Sequence, residues 1–159
     1  MELDCIDDNP LGAEGALVPE DFLAGMPDPA SVRTLEAEML QHAAQVDLHT
    51  QHLVHAGMYA RTIFIPAGTL LTGAQTEVDN VCIVVGDITV TTDDGTRRLT
   101  GYYVIPANAG FKRAGIAHAD TWWTTLFRTD NTEIAAIEDE VTREADRLQS
   151  RRLLENKEH

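Results

Sequence analysis

The period of the apolar positions changes twice along the chain. Between Tyr59 and Phe127, short β-branched and aromatic runs recur: YARTIFIPAGT from Tyr59, VCIVVGDITV from Val81, RRLTGYYVIPANAGFKR from Arg97 and ADTWWTTLF from Ala119. Turn signals separate them, at Pro66-Ala67-Gly68, Gly86-Asp87, Asp93-Asp94-Gly95 and Pro106. Alternation within YARTIFI sets Tyr59, Arg61, Ile63 and Ile65 on one face and Ala60, Thr62 and Phe64 on the other. Strands this short, punctuated this way, predict a β-sandwich or barrel over residues 59–129.

The flanks read differently. Residues 1–30 mix Asp, Glu, Gly and Pro with scattered apolar residues, which predicts an acidic extended arm that orders where Leu17, Val18, Phe22 and Leu23 find a groove. Residues 31–58 hold a short amphipathic helix, capped by Ser31 and ending near Ala44, and then a connecting segment. In that segment Val46, Leu48, Leu53 and Val54 admit either an edge strand or an irregular approach to the barrel. Residues 130–159 switch to helical spacing at Ile134, Ile137, Val141, Ala145 and Leu148. With Asp130 and Glu133 as a capping box, the pattern predicts one long helix from about Thr132 to Leu154. Its apolar stripe needs a partner, either the barrel or another subunit.

Charge sharpens this division. The net charge of −14 is carried by the flanks, because residues 51–129 hold as many bases as acids. Acidity of this kind disfavours nucleic-acid binding. Cys5 and Cys82 do not make a disulfide framework, and no apolar run reaches membrane-spanning length. The N-terminus has no signal-peptide pattern. These features predict a soluble cytoplasmic protein with neither nucleic-acid nor membrane partners.

Gly68, Gly86, Gly101 and Pro106 fall near the scaffold positions of the two cupin motifs, and the barrel segment resembles the cupin superfamily, whose fold is a small jelly roll. That resemblance implies a barrel-mouth site where three His and one Glu hold a divalent metal. In this chain the matching positions are Gly73, Gln75, Asp79 and Arg113, with no imidazole among them. A guanidinium there repels a cation, so neither a metal nor another cofactor is expected. The pattern of helix, barrel and acidic helix over residues 30–145 also resembles small cupin-like proteins of tailed phages and prophages, which implies expression in the cytoplasm of an infected bacterium.

A mouth carrying Gln75, Asp79, Asn80 and Arg113 suits a small polar anion. Arg61 and Lys112 are added as cationic groups, provided that their faces turn inward. Trp122 and Trp123 lie on opposite faces of one strand, so whichever faces the cavity is the one to stack on a ligand, and Trp123 enters the candidate set. His118 near Asp120 completes the candidate set. His49, His52 and His55 recur every third residue, but no Cys or carboxylate is grouped with them and a helix there is doubtful. Ser31 and Ser150 lie in predicted helices, which argues against a serine nucleophile.

The fold expected is therefore mainly β, a cupin-like jelly-roll barrel with an N-terminal helix and a long C-terminal helix. The function expected is non-enzymatic binding of an anionic, nucleotide-derived ligand, such as a host defence signal that a phage protein would sequester. A homo-oligomer is expected as well. The alternatives are a phage structural protein assembling through its helices, or a cupin enzyme. The enzyme would be a metal-dependent isomerase or dioxygenase, or a metal-free one with His118 as base and Asp120 as its partner.

Overall fold

The computed structural model describes residues 2–7, 22–25, 28–42 and 44–157. Eight antiparallel strands form one curled sheet: β1 (Glu2–Asp7), β2 (Gln51–His55), β3 (Met58–Ile65), β4 (Thr69–Gly73), β5 (Asn80–Thr92), β6 (Gly95–Ala107), β7 (Ala114–Ala117) and β8 (Thr121–Arg128). The order is β1-β4-β7-β5-β8-β3-β2, with β6 paired to β5 along the other edge. The barrel expected over residues 59–129 is present as a half-barrel, widened by β1 and β2.

The curl depends on β5. Its first half, Val81–Val85, pairs with β8, and its second half, Ile88–Val90, pairs with β7. The change of partner falls at Gly86, whose φ is +147°. A Cβ there would lie 2.4 Å from Thr121 Oγ1 and 2.7 Å from Thr121 Cα. Only glycine lets β8 cross this closely while β5 bends.

Alternation along the strands fills the interior as read from the sequence. Ile63, Ile65, Val84, Ile88, Val90 and Trp123 meet in one core with Leu48. The connecting segment resolves into an edge strand, β2, joined to β3 through Ala56 and Gly57, both at positive φ. Two such residues form the turn whose twist matches a tight hairpin. A β-strand puts His52 and His55 on opposite faces, and His52 Nδ1 instead meets the Tyr59 hydroxyl at 2.7 Å.

Three expectations about the flanks change. The first helix, α1, spans Pro29–His42. Asp28 caps it, because its carboxylate accepts both the Ser31 N–H at 2.8 Å and the Ser31 hydroxyl at 2.9 Å. Pro29, which has no N–H to leave unpaired, then occupies the first helical position. The helix lies across the outside of β4 and β7, where Val32 and Met39 join Leu70, Ala114 and Ile116. The arm is not uniformly extended: Glu2–Asp7 pair with β4, and Leu23 is buried in a 3-10 turn against α1. Leu17 and Val18 lie outside the described residues.

The long C-terminal helix is divided. Helix α2 covers Ile134–Val141, a 3-10 turn covers Ala145–Arg147, and α3 covers Gln149–Lys157. Thr142 is extended because the barrel competes for it: it bridges to Thr76, and its hydroxyl donates to Gln75 O at 2.7 Å. The expected capping box is also absent, since Glu133 occupies the cap position without a side-chain bond. Ile137 and Val141 pack on Tyr59 and Phe127 at one end of the sheet. Ile137, Val141, Ala145 and Leu148 are thus covered within the chain, whereas Ile134 and Leu154 stay exposed. No helix among the described residues is long and apolar enough to cross a membrane.

Candidate functional site

The inner face of the curled sheet encloses a cavity of about 70 Å³. Its walls are mainly Ile63, Ile65, Leu71, Ile88, Val90 and Trp123, and its polar atoms come from Thr76, Asn80, Cys82, Asn108, Arg113 and Thr125. Val90, Asn108, Phe111 and Arg113 also line a groove of about 710 Å³ outside, so that the cavity opens at these four residues. The apolar depth follows from strand alternation. The polar mouth comes from the loop after β6, where Gly110 has positive φ and carries the chain back toward β7.

Arg113 is the cation at this mouth. Its Nη1 donates to Thr91 O at 3.1 Å, and its guanidinium carbon lies 4.8 Å from the centre of the Phe111 ring. Burial lowers its pKa from the ordinary value, with Cys82 and Asp93 acting in the opposite direction. Among the described residues no carboxylate lies within ion-pair distance of it. The guanidinium is therefore held in place and half-buried, with donors left for an anion.

Two more of the residues singled out from the sequence share this cavity. Asn80 is buried beside Cys82, whose thiol reaches Asn80 Oδ1 at 3.5 Å. Trp123 forms part of the wall, whereas Trp122 lies on the outer face against Phe64, ring centres 4.8 Å apart. Phe64 and Ile83 also face outward, so neither fills the barrel.

The other five lie elsewhere. Arg61 does belong to the inner face, but beyond the cavity, at the end closed by α2 and α3. There it is buried against Glu138 at 2.9 Å and donates to the Ser150 hydroxyl at 2.9 Å. Lys112 is buried beneath α1, 2.9 Å from Glu36 and 3.2 Å from Glu144, and donates to Gly73 O at 2.8 Å. Gln75 bonds to Gly110 O and to Arg33, bracing the loop from outside. Asp79 is exposed and accepts the Ala109 N–H at 2.8 Å. His118 meets the Thr89 hydroxyl at 2.7 Å, while its neighbour Asp120 accepts the Ala67 N–H at 2.9 Å. His118 and Asp120 thus have separate partners and neither lines the cavity.

Cys82, Thr125 and Phe111 were missed in the sequence reading. A signal existed for each: Cys82 is two residues from Asn80 and Thr125 two from Trp123, hence on the same strand face, and Phe111 is two before Arg113.

The cupin metal positions do not fit a metal here. Asp79 is committed to a loop N–H and Gln75 to a loop carbonyl, Gly73 offers no side chain, and Arg113 is cationic. Among the described residues no three His, Cys, Asp or Glu side chains are grouped to hold an ion.

Glu144 links the site's supports. Burial pushes its carboxyl up, but the Gln75 N–H at 2.7 Å, Lys112 and Arg33 outweigh this, and the net shift is below the ordinary value of 4.5. A carboxylate lowered in the folded state contributes stability above its unfolded pKa and loses it as pH falls through the folded value. Glu144→Gln is therefore expected to lower the urea midpoint at neutral pH, with the gap to wild type closing below about pH 4.5. A gap that persists unchanged in strong acid would assign the stabilisation to something other than this charge.

Fold and cavity together define a mainly β protein, a curled antiparallel half-barrel with a small, largely apolar interior and a cationic mouth. No family model matches the chain, and no curated protein matches it. It is similar in part to several solved structures. A cupin-2 domain containing protein from Shewanella frigidimarina matches at 9% identity and TM-score 0.43, over 59% of this chain and 91% of that one. KdgF from Halomonas sp. matches at 17% identity and TM-score 0.44, over 52% and 78%. An acetylacetone dioxygenase from Acinetobacter johnsonii matches at 11% identity and TM-score 0.42, over 50% and 58%.

Proposed function

We propose that this chain is a cupin-like small-molecule-binding protein that takes an anion with a short apolar body. The anionic group would sit on Arg113, and the body would enter the cavity past Phe111 toward Trp123. One observation carries this reading: a fixed guanidinium with no carboxylate within ion-pair distance among the described residues stands at the mouth of a largely apolar cavity. A cavity of about 70 Å³ suits a body of a few carbon atoms and is far smaller than usual drug-sized sites. A nucleotide-derived ligand of the kind a phage-encoded protein would sequester is too large for it. Such a ligand would have to lie in the outer groove, with only its anionic group at Arg113.

Binding is favoured over catalysis by the composition of the walls. Among the described residues the cavity lining contains no His, Asp, Glu or Lys, the groups that most often carry general acid–base work. The site supplies orientation and charge complementarity instead.

The test is calorimetric titration with a series of short straight-chain and aromatic carboxylates, matched against the corresponding amides and alcohols. Carboxylates are expected to bind and their neutral analogues to bind far more weakly. Arg113→Met should weaken carboxylate binding by roughly 10- to 100-fold, the loss of a charge-assisted hydrogen-bonded pair, while the urea midpoint changes little. Equal affinity in the variant would remove Arg113 from the site. Binding of amides as tight as that of acids would remove the anion from the reading.

A further inference from the structure

The mouth of the cavity carries both signs of charge. The groove outside it is lined by Arg113 and Arg97, and by Asp93 and Asp94 from the turn that joins β5 to β6. Arg97 is already occupied, since its guanidinium carbon lies 5.5 Å from the centre of the Tyr103 ring. Asp93 is exposed, and among the described residues its carboxylate makes no hydrogen bond or ion pair. It stands two residues beyond Thr91, whose carbonyl oxygen holds Arg113. From there it acts electrostatically on the guanidinium without reaching ion-pair distance. A simple anion on Arg113 therefore has a like charge beside it, and a phosphate or dicarboxylate meets more repulsion still. A ligand with an ammonium next to its anionic group satisfies both side chains.

The cavity supplies the third point of contact. An α-amino acid carries its carboxylate and ammonium on one carbon, about 3 Å apart, and leaves that carbon's side chain free to point elsewhere. With a hydrogen bond of about 2.8 Å at each end, it bridges a gap that a direct ion pair does not close. Its side chain can then pass Phe111 into a cavity of about 70 Å³, which is walled mainly by aliphatic residues and Trp123. We propose that the ligand is an α-amino acid with a short apolar side chain, its carboxylate on Arg113, its ammonium on Asp93 and its side chain in the cavity. This rests on the reading above, that Arg113 takes an anion whose body enters the cavity, and narrows it to a zwitterion.

The experiment is calorimetric titration of the full chain with alanine, 2-aminobutyrate and valine. Each is matched to the acid that lacks the amino group: propanoate, butanoate and 3-methylbutanoate. The amino acids are expected to bind roughly three- to tenfold tighter than their matched acids, the modest gain open to an exposed carboxylate. Asp93→Asn should bring that ratio near one, and Asp93→Lys should invert it, with urea midpoints as the fold control. Phenylalanine, whose side chain exceeds the cavity, is expected to bind at least tenfold more weakly than valine. Matched acids that bind as tightly as the amino acids would overturn the proposal and leave the anion site at Arg113 standing. A preference for amino acids that survives both Asp93 variants, or phenylalanine binding equal to that of valine, would overturn it as well. Binding by neither series would overturn the anion reading itself, and this proposal with it.

Discussion

Replacing Lys112 by methionine is expected to destabilise the fold by about 3–4 kcal/mol, read as a lower urea midpoint at unchanged slope. The side chain is wholly buried and its ammonium joins three parts of the molecule. It meets Glu36 of α1 at 2.9 Å, Glu144 of the C-terminal segment at 3.2 Å and the Gly73 carbonyl of β4 at 2.8 Å. Methionine keeps much of the volume but leaves Glu36 without the fully buried cation beside it. Glu36 would retain the Thr72 hydroxyl at 2.9 Å and Arg147 at 2.7 Å. The Arg147 contact lacks hydrogen-bond geometry at Glu36 Oε1 and reaches it from a half-exposed side chain. Pairing Lys112→Met with Glu36→Gln should therefore recover part of the loss, because a neutral amide costs less to bury than an unpaired carboxylate. A loss below about 1 kcal/mol for the single variant would show that the cluster is open to water in solution.

Gly86→Ala is expected to cost about 3 kcal/mol or more, through backbone strain and overpacking together. The added methyl would meet Thr121 Cα and the Asp120 carbonyl oxygen at 2.7 and 2.8 Å, both main-chain atoms that cannot turn aside. The positive φ adds its own penalty for any residue with a Cβ. Since β5 changes partner here, relief would come by parting β8 from the bend. The sign of that relief is faster amide hydrogen exchange at Asp87 and Thr121, which share a 3.1 Å bond from the Asp87 N–H to the Thr121 hydroxyl. Unchanged midpoint and exchange in the alanine variant would mean that the bend tolerates a side chain. By contrast Gly95, also at positive φ, has open space around it, so alanine there adds backbone strain alone.

The candidate site was readable in the sequence to the extent that it depends on strand parity. Asn80 and Trp123 sit on inward-facing strand positions, and Arg113 stands at the start of β7 where the chain re-enters the sheet. Parity said correctly that Arg61 shares a face with Ile63 and Ile65. It could not say that α2 and α3 would fold over that end and bring Glu138 within 2.9 Å. Lys112 illustrates the same limit from the loop side. Its neighbour Arg113 opens into the cavity, while Lys112 turns the other way to acids that are 76 residues earlier and 32 later in the chain.

Local sequence alone determined that residues 59–129 form strands, and it set their turns, the inward and outward faces of β3 and the acidic character of the flanks. Each of these follows from side-chain period, from glycine and proline geometry, or from composition, which act within a few residues. Tertiary structure decided where the C-terminal helix breaks, because the Val141 carbonyl accepts the Glu77 N–H and the Thr142 hydroxyl donates to Gln75 O, ties to the barrel in place of the next helical turn. It also decided which cations are internal ties and which one faces the cavity. A buried charge is defined by the partner that compensates it, and here those partners come from helices distant in sequence.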